Sequence, residues 1–120
     1  MKRLSLNIAI CVFSILFLVT GTSYAQGAVR VIDIHAKRFS FSPAEITLKK
    51  GETVKLVVTS SDVTHSLVIP GLHVKQTIKK GHPAEITITP TQVGDFRGRC
   101  GHFCGSGHGS MVFTVHVKDN

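Results

Sequence analysis

Acidic and aromatic residues are both scarce in this chain: seven Asp and Glu among 120 residues, seven phenylalanines, one tyrosine and no tryptophan. There is no basic helix and no row of rings on which bases could stack, so the surplus of lysine and arginine does not point to nucleic acid. Helical periodicity is also missing. Between Gln26 and Asn120 no stretch holds a helical period over ten residues, and there is no repeat, low-complexity run or second domain. No acid–base or nucleophile–base pair stands out, so the chain is expected not to be an enzyme. The C-terminal glycines are not followed by Lys-Ser/Thr and open no helix, which excludes a phosphate loop.

What is present begins with an export signal. Met1-Lys2-Arg3 is basic, Leu4 to Thr20 is almost entirely apolar, and Ser23-Tyr24-Ala25 sets small residues where a signal peptidase needs them. Residues 1–25 therefore read as a signal peptide, with cleavage between Ala25 and Gln26. The apolar run, about 17 residues, borders on membrane-spanning length. An uncleaved anchor is the alternative, and only then would the protein meet a membrane. Cys11 leaves with the signal and has no role. Residues 26–120 form one domain, periplasmic or extracytoplasmic, with a net charge of about +5.

Within that domain several segments alternate with period two. Ile32, Ile34 and Ala36 share a face, as do Ile46 and Leu48, then Val54, Leu56 and Val58. Ala84, Ile86 and Ile88 follow, and finally Met111, Phe113, Val115 and Val117. Turn signals recur about every ten residues, at Ser42-Pro43, Lys50-Gly51, Pro70-Gly71, Gly81-His82-Pro83 and Pro90. Leu72 to Lys80 suits a helical turn or a strand and is read as a strand. This pattern is all-β, an antiparallel sandwich or barrel.

The chemistry is concentrated near the C-terminus, in Cys100-Gly101-His102-Phe103-Cys104-Gly105-Ser106-Gly107-His108-Gly109-Ser110-Met111. Two thiols, an imidazole and a thioether at the spacing Cys-x3-Cys-x3-His-x2-Met form a soft donor set. Among first-row metals such a set favours copper. The glycines let the four side chains converge. His65 lies on the same alternating face as Leu67 and Ile69, so it points inward and needs a partner. On its own it would read as a hydrogen-bonded core histidine; beside the cysteine loop it reads as the outside ligand. A Cys100–Cys104 disulfide would suit an exported protein but leaves His108 and Met111 unexplained. Structural zinc on His65, Cys100, Cys104 and His108 has little use for Met111. Met111 as ordinary core is compatible with weak axial ligation.

With the loop and the segment Asp62-Val63-Thr64-His65-Ser66-Leu67-Val68-Ile69-Pro70 in view, the chain resembles the binuclear copper (CuA) domain of cytochrome c oxidase subunit II and nitrous-oxide reductase. The resemblance covers residues 62–112 closely and the rest loosely, as a cupredoxin-like Greek-key sandwich. It implies two coppers per chain bridged by Cys100 and Cys104, with His65 and His108 each binding one. Met111 would be the weak axial ligand of the copper held by His65, and the backbone carbonyl of His102 that of the other. His102 departs from the Glu or Trp usual in the family. The transmembrane hairpin of subunit II and its tryptophan route for electron entry have no counterpart here. A basic surface replaces an acidic one, implying an acidic partner.

The implied function is electron transfer with a redox partner protein. The alternatives are a copper chaperone or buffer that hands metal to an acceptor, and a mononuclear blue or red copper protein with one copper. His35 and His116 face outward and are expected to be solvated, and His73 and His82 flank turns and are not expected to ligate. Phe96 and Phe103 are expected to shield the metal from water.

Overall fold

The computed structural model describes residue 21 and residues 27–120. The expected signal peptide or anchor lies almost wholly outside them. Among the described residues no helix is long and apolar enough to cross a membrane.

Nine strands follow one another: β1 (Arg30–Lys37), β2 (Ser40–Ser42), β3 (Glu45–Lys49), β4 (Val54–Ser60), β5 (His65–Ile69), β6 (Val74–Ile78), β7 (Ala84–Ile88), β8 (Gly94–Arg99) and β9 (Val112–Lys118). Single 3-10 turns at Pro70–Leu72 and His108–Ser110 interrupt them. The segment that suited either helix or strand divides between the first of these turns and β6.

The strands form two sheets, ordered β2-β1-β4-β7 and β3-β9-β8-β5-β6. Most pairings are antiparallel, as expected, but β1 runs parallel to β4 and β3 parallel to β9. Period-two alternation says which face a residue takes and nothing about the direction of its neighbour, so these two pairings were not visible in the pattern.

Alternation does set the core. β4 and β9 bury every second residue. The inward sets Ile34, Leu56 and Val58 on one sheet and Leu67, Ile69, Phe113 and Val115 on the other meet in a single apolar cluster. Phe41 and Phe113 cross edge-to-face within it, with ring centroids 5.8 Å apart. Each such side chain, fully buried, contributes about 1.5–3 kcal/mol. Gly51 turns the chain between β3 and β4 at a φ of 80°, where a side chain would be strained.

At one end of the five-stranded sheet, β8 and β9 are joined by residues 100–111. The register Arg99↔Val112 closes the base of this loop. The Cys100 N–H donates to the Met111 carbonyl at 3.0 Å just beyond it. The cysteine loop is thus hung between two paired strands of a packed sheet, beside the first residue of β5.

Candidate metal centre

His65 opens β5 with its side chain inward, as its shared face with Leu67 and Ile69 required, and it is fully buried. Its Nδ1 lies 3.9 Å from the Cys100 Sγ. Cys100 Sγ is 3.9 Å from Cys104 Sγ, and Cys104 Sγ is 3.9 Å from both the His108 Nδ1 and the Met111 Sδ. The carbonyl oxygen of His102 sits 3.1 Å from the Cys100 Sγ, while the residue itself is exposed. Each of the six positions singled out in the sequence therefore sets a donor atom next to another of them, along a line from His65 to His108. The His65, Cys100 and Cys104 donors lie within 4.8 Å of one another.

The cluster is sealed on its core side and open on the other. Cys100, Cys104 and Met111 are buried and His108 is half-buried. Both cysteines are free thiols, so the disulfide alternative is not what the structure contains. Burial pushes the Cys104 thiol up, and the neighbouring Cys100 adds to this through its charge and a hydrogen bond. The Arg38 guanidinium opposes them. A cation bound beside the Cys104 sulfur removes that penalty.

The donor chemistry fits a soft metal ion. Bonds to thiolate and imidazole run to about 2.0–2.3 Å, so donors 3.9 Å apart can share an ion without a change of fold. The buried thioether against Cys104 suits copper better than zinc.

Three supports for this cluster were not singled out from the sequence. Asp62 accepts a 2.7 Å hydrogen bond from the His65 Nε2, which leaves Nδ1 facing Cys100. Partial burial works against ionisation of Asp62, but the Arg38 N–H, the His65 imidazole and the Val63 N–H together hold its carboxyl far below the usual range. Arg38 donates from Nε to the Cys104 carbonyl at 2.8 Å. Phe39 lies so close under the loop that a Cβ on Gly107 or on Gly105 would run into its ring. Asp62 sits in the segment that carries the family resemblance, and that was its only signal. Arg38 and Phe39 lie between β1 and β2 and gave none.

Two expectations are not met. Phe103 is 74% exposed and only edges the His108 ring, at a centroid distance of 5.9 Å. Phe96 packs over Gly71. Phe39, and not these two, covers the loop. His35 is also not simply solvated: its ring nitrogens bond to the hydroxyls of Thr59 and Ser61. His116 is held by Asp95.

A β-sandwich with a buried Cys-Cys-His cluster at one end defines a copper-binding class of protein, and the cupredoxin-like domain pattern matches residues 8–113. The chain belongs to the cupredoxin-like domain family. Among its relatives is a probable cytochrome c oxidase subunit 2 of Streptomyces avermitilis, 41% identical over 70 residues, which are 58% of this chain and 22% of that one. Cytochrome c oxidase subunit 2 of Thermus thermophilus is 28% identical over 81 residues, covering 68% of this chain and 60% of that one. The periplasmic domain of subunit II of the Bradyrhizobium japonicum cytochrome oxidase shares the fold, with a TM-score of 0.69, 19% identity, and coverage of 76% of this chain and 85% of that one. The chain thus spans about a fifth of the first relative's length and three fifths of the second's.

These relatives overturn the expectation that the chain is not an enzyme, since they are subunits of an oxidase. Acid–base and nucleophile–base pairs were the wrong signal. A redox subunit brings metal ligands to turnover and needs neither pair.

Proposed function

We propose that this chain is an extracytoplasmic electron-transfer domain whose loop holds a thiolate-bridged pair of coppers. The observation that carries this reading is the line of donors His65–Cys100–Cys104–His108, each 3.9 Å from the next. His108 stands outside the group whose donors all lie within 4.8 Å of one another. One tetrahedral ion would have to draw both imidazoles inward, whereas two ions sharing the central thiolates suit the line as it is. In this assignment Cys100, Cys104, His65, His108, Met111 and the His102 carbonyl would hold the coppers.

Copper, when bound, supplies the one-electron couple. The chain's own residues hold the ligands still: β5, β8 and β9 fix both ends of the site, Asp62 aims His65, and Arg38 with Phe39 clamps the loop. A site that keeps its shape between oxidation states needs little rearrangement per transfer. The partner is a redox protein, one with an acidic surface given the basic charge of this chain. Membership of an oxidase assembly, as in the relatives, belongs to the same proposal.

Loading the reduced chain with Cu(I) and Cu(II) and following it at an electrode tests the reading. A reversible one-electron couple that Cys100→Ser abolishes is expected; a redox-silent or colourless metal-bound protein contradicts it. The exposed side of the site, at His102 and the half-buried His108, favours a second reading as a copper-handing protein. Fast Cu(I) transfer to an acceptor without electron exchange distinguishes it.

A further inference from the structure

The outer face of the five-stranded sheet bears exposed cations towards both of its ends. Towards the end remote from the metal centre, His116 bonds to Asp95 at 2.6 Å and lies 3.5 Å from Glu45, and beyond them the exposed Lys49 and Lys118 make no ion pair among the described residues. Towards the loop end the face bears Arg97, Arg99 and Lys75. Arg97 pairs across the sheet with Thr114, Arg99 with Val112 and Val68, and Val68 in turn with Lys75. All three cations are exposed. Among the described residues none of them makes an ion pair.

Two of these side chains, Arg97 and Arg99, also frame a depression. A groove of about 300 Å³ is lined by Pro70, Arg97, Gly98, Arg99, Gly109 and Val112. Gly109 adjoins His108 in the chain, so the groove opens directly beside the exposed edge of the donor cluster. A small apolar floor with two guanidiniums at its wall is suited to planar carboxylates, which arginine holds in a two-pronged grip.

Resting on the electron-transfer reading, we infer that this Arg97–Arg99–Lys75 face is the docking surface for an acidic redox protein, whose carboxylates enter the groove and bring its cofactor against the His108 side of the loop. The positive charge selects an acidic partner, and the groove walled by Arg97 and Arg99 places it beside the ligand loop and not at the Lys49–Lys118 end.

The test titrates the copper-loaded full chain at low and moderate salt with an acidic soluble cytochrome c, a basic one, and phosphatidylglycerol vesicles, following amide shifts and affinity. The acidic cytochrome is expected to shift Lys75, Arg97, Arg99 and Gly109, with affinity falling as salt rises. Arg97→Glu with Arg99→Glu should weaken it about tenfold or more, and Arg97→Gln with Arg99→Gln by less. Lys49→Glu with Lys118→Glu, at the far end, should leave it nearly unchanged. Equal binding by the wild type and the Arg97/Arg99 variants overturns the inference. So does binding confined to the basic cytochrome or to the vesicles. The electrode couple of the same samples separates the two claims. If it is intact while docking ignores the arginines, only the docking surface fails; if it is absent, the electron-transfer reading fails with it.

Discussion

Asp62 illustrates how one residue organises the centre. Its carboxylate accepts from the His65 imidazole at 2.7 Å, the Arg38 N–H at 2.7 Å and the Val63 N–H at 2.7 Å. Asp62→Ala leaves the fully buried imidazole N–H and two backbone donors without their acceptor. An unmet buried donor costs about 1–3 kcal/mol, so the metal-free variant should lose about 2 kcal/mol in urea unfolding. Metal affinity should fall about 10–100-fold, as happens when a ligand loses the group that orients it. An unchanged unfolding midpoint and affinity contradict this role. The six donor positions themselves were legible in the sequence, because soft ligand types at close spacing have few other uses. Asp62, Arg38 and Phe39 were not, because an ordinary Asp, Arg or Phe acquires its role only from what the fold sets against it. The Arg38–Cys104 contact, for one, spans 66 residues.

Loop and strand respond to different changes. Within the cysteine loop, Gly107 meets the Phe39 ring, whereas Gly109 has nothing within 4 Å of its would-be Cβ. Gly107→Ala should therefore destabilise by about 1–3 kcal/mol, and Gly109→Ala should be near neutral; equal midpoints for the two in urea contradict the clamp. Across β8 and β9, Asp95 and His116 face each other in register. Their hydrogen bond raises the His116 pKa and lowers that of Asp95. The histidine's contribution is full below its ordinary pKa and fades as pH rises through the raised one. The aspartate's is full above its ordinary pKa and fades as pH falls through the lowered one. The Tm difference between wild type and His116→Gln should thus be greatest in mildly acidic solution and shrink on either side. A difference flat with pH contradicts the pairing. Strand faces were readable from alternation. The parallel pairings β1–β4 and β3–β9 were not, since partner choice rests on contacts distant in sequence.

At the scale of the whole molecule, two packed sheets gather the donors at one end, with a groove walled by Arg97 and Arg99 beside them. Packing, placement and charge all serve a protein that must hold metal in one shape and present it to another protein. The central claim is that the loop holds two coppers sharing thiolates. It is tested most directly by copper stoichiometry and the paramagnetic spectrum of one sample, reconstituted with its thiols reduced and read in the oxidised state. Two coppers per chain with one unpaired electron spread over both, lost together in Cys100→Ser, is the predicted result. One copper per chain with the spectrum of a single isolated ion contradicts it.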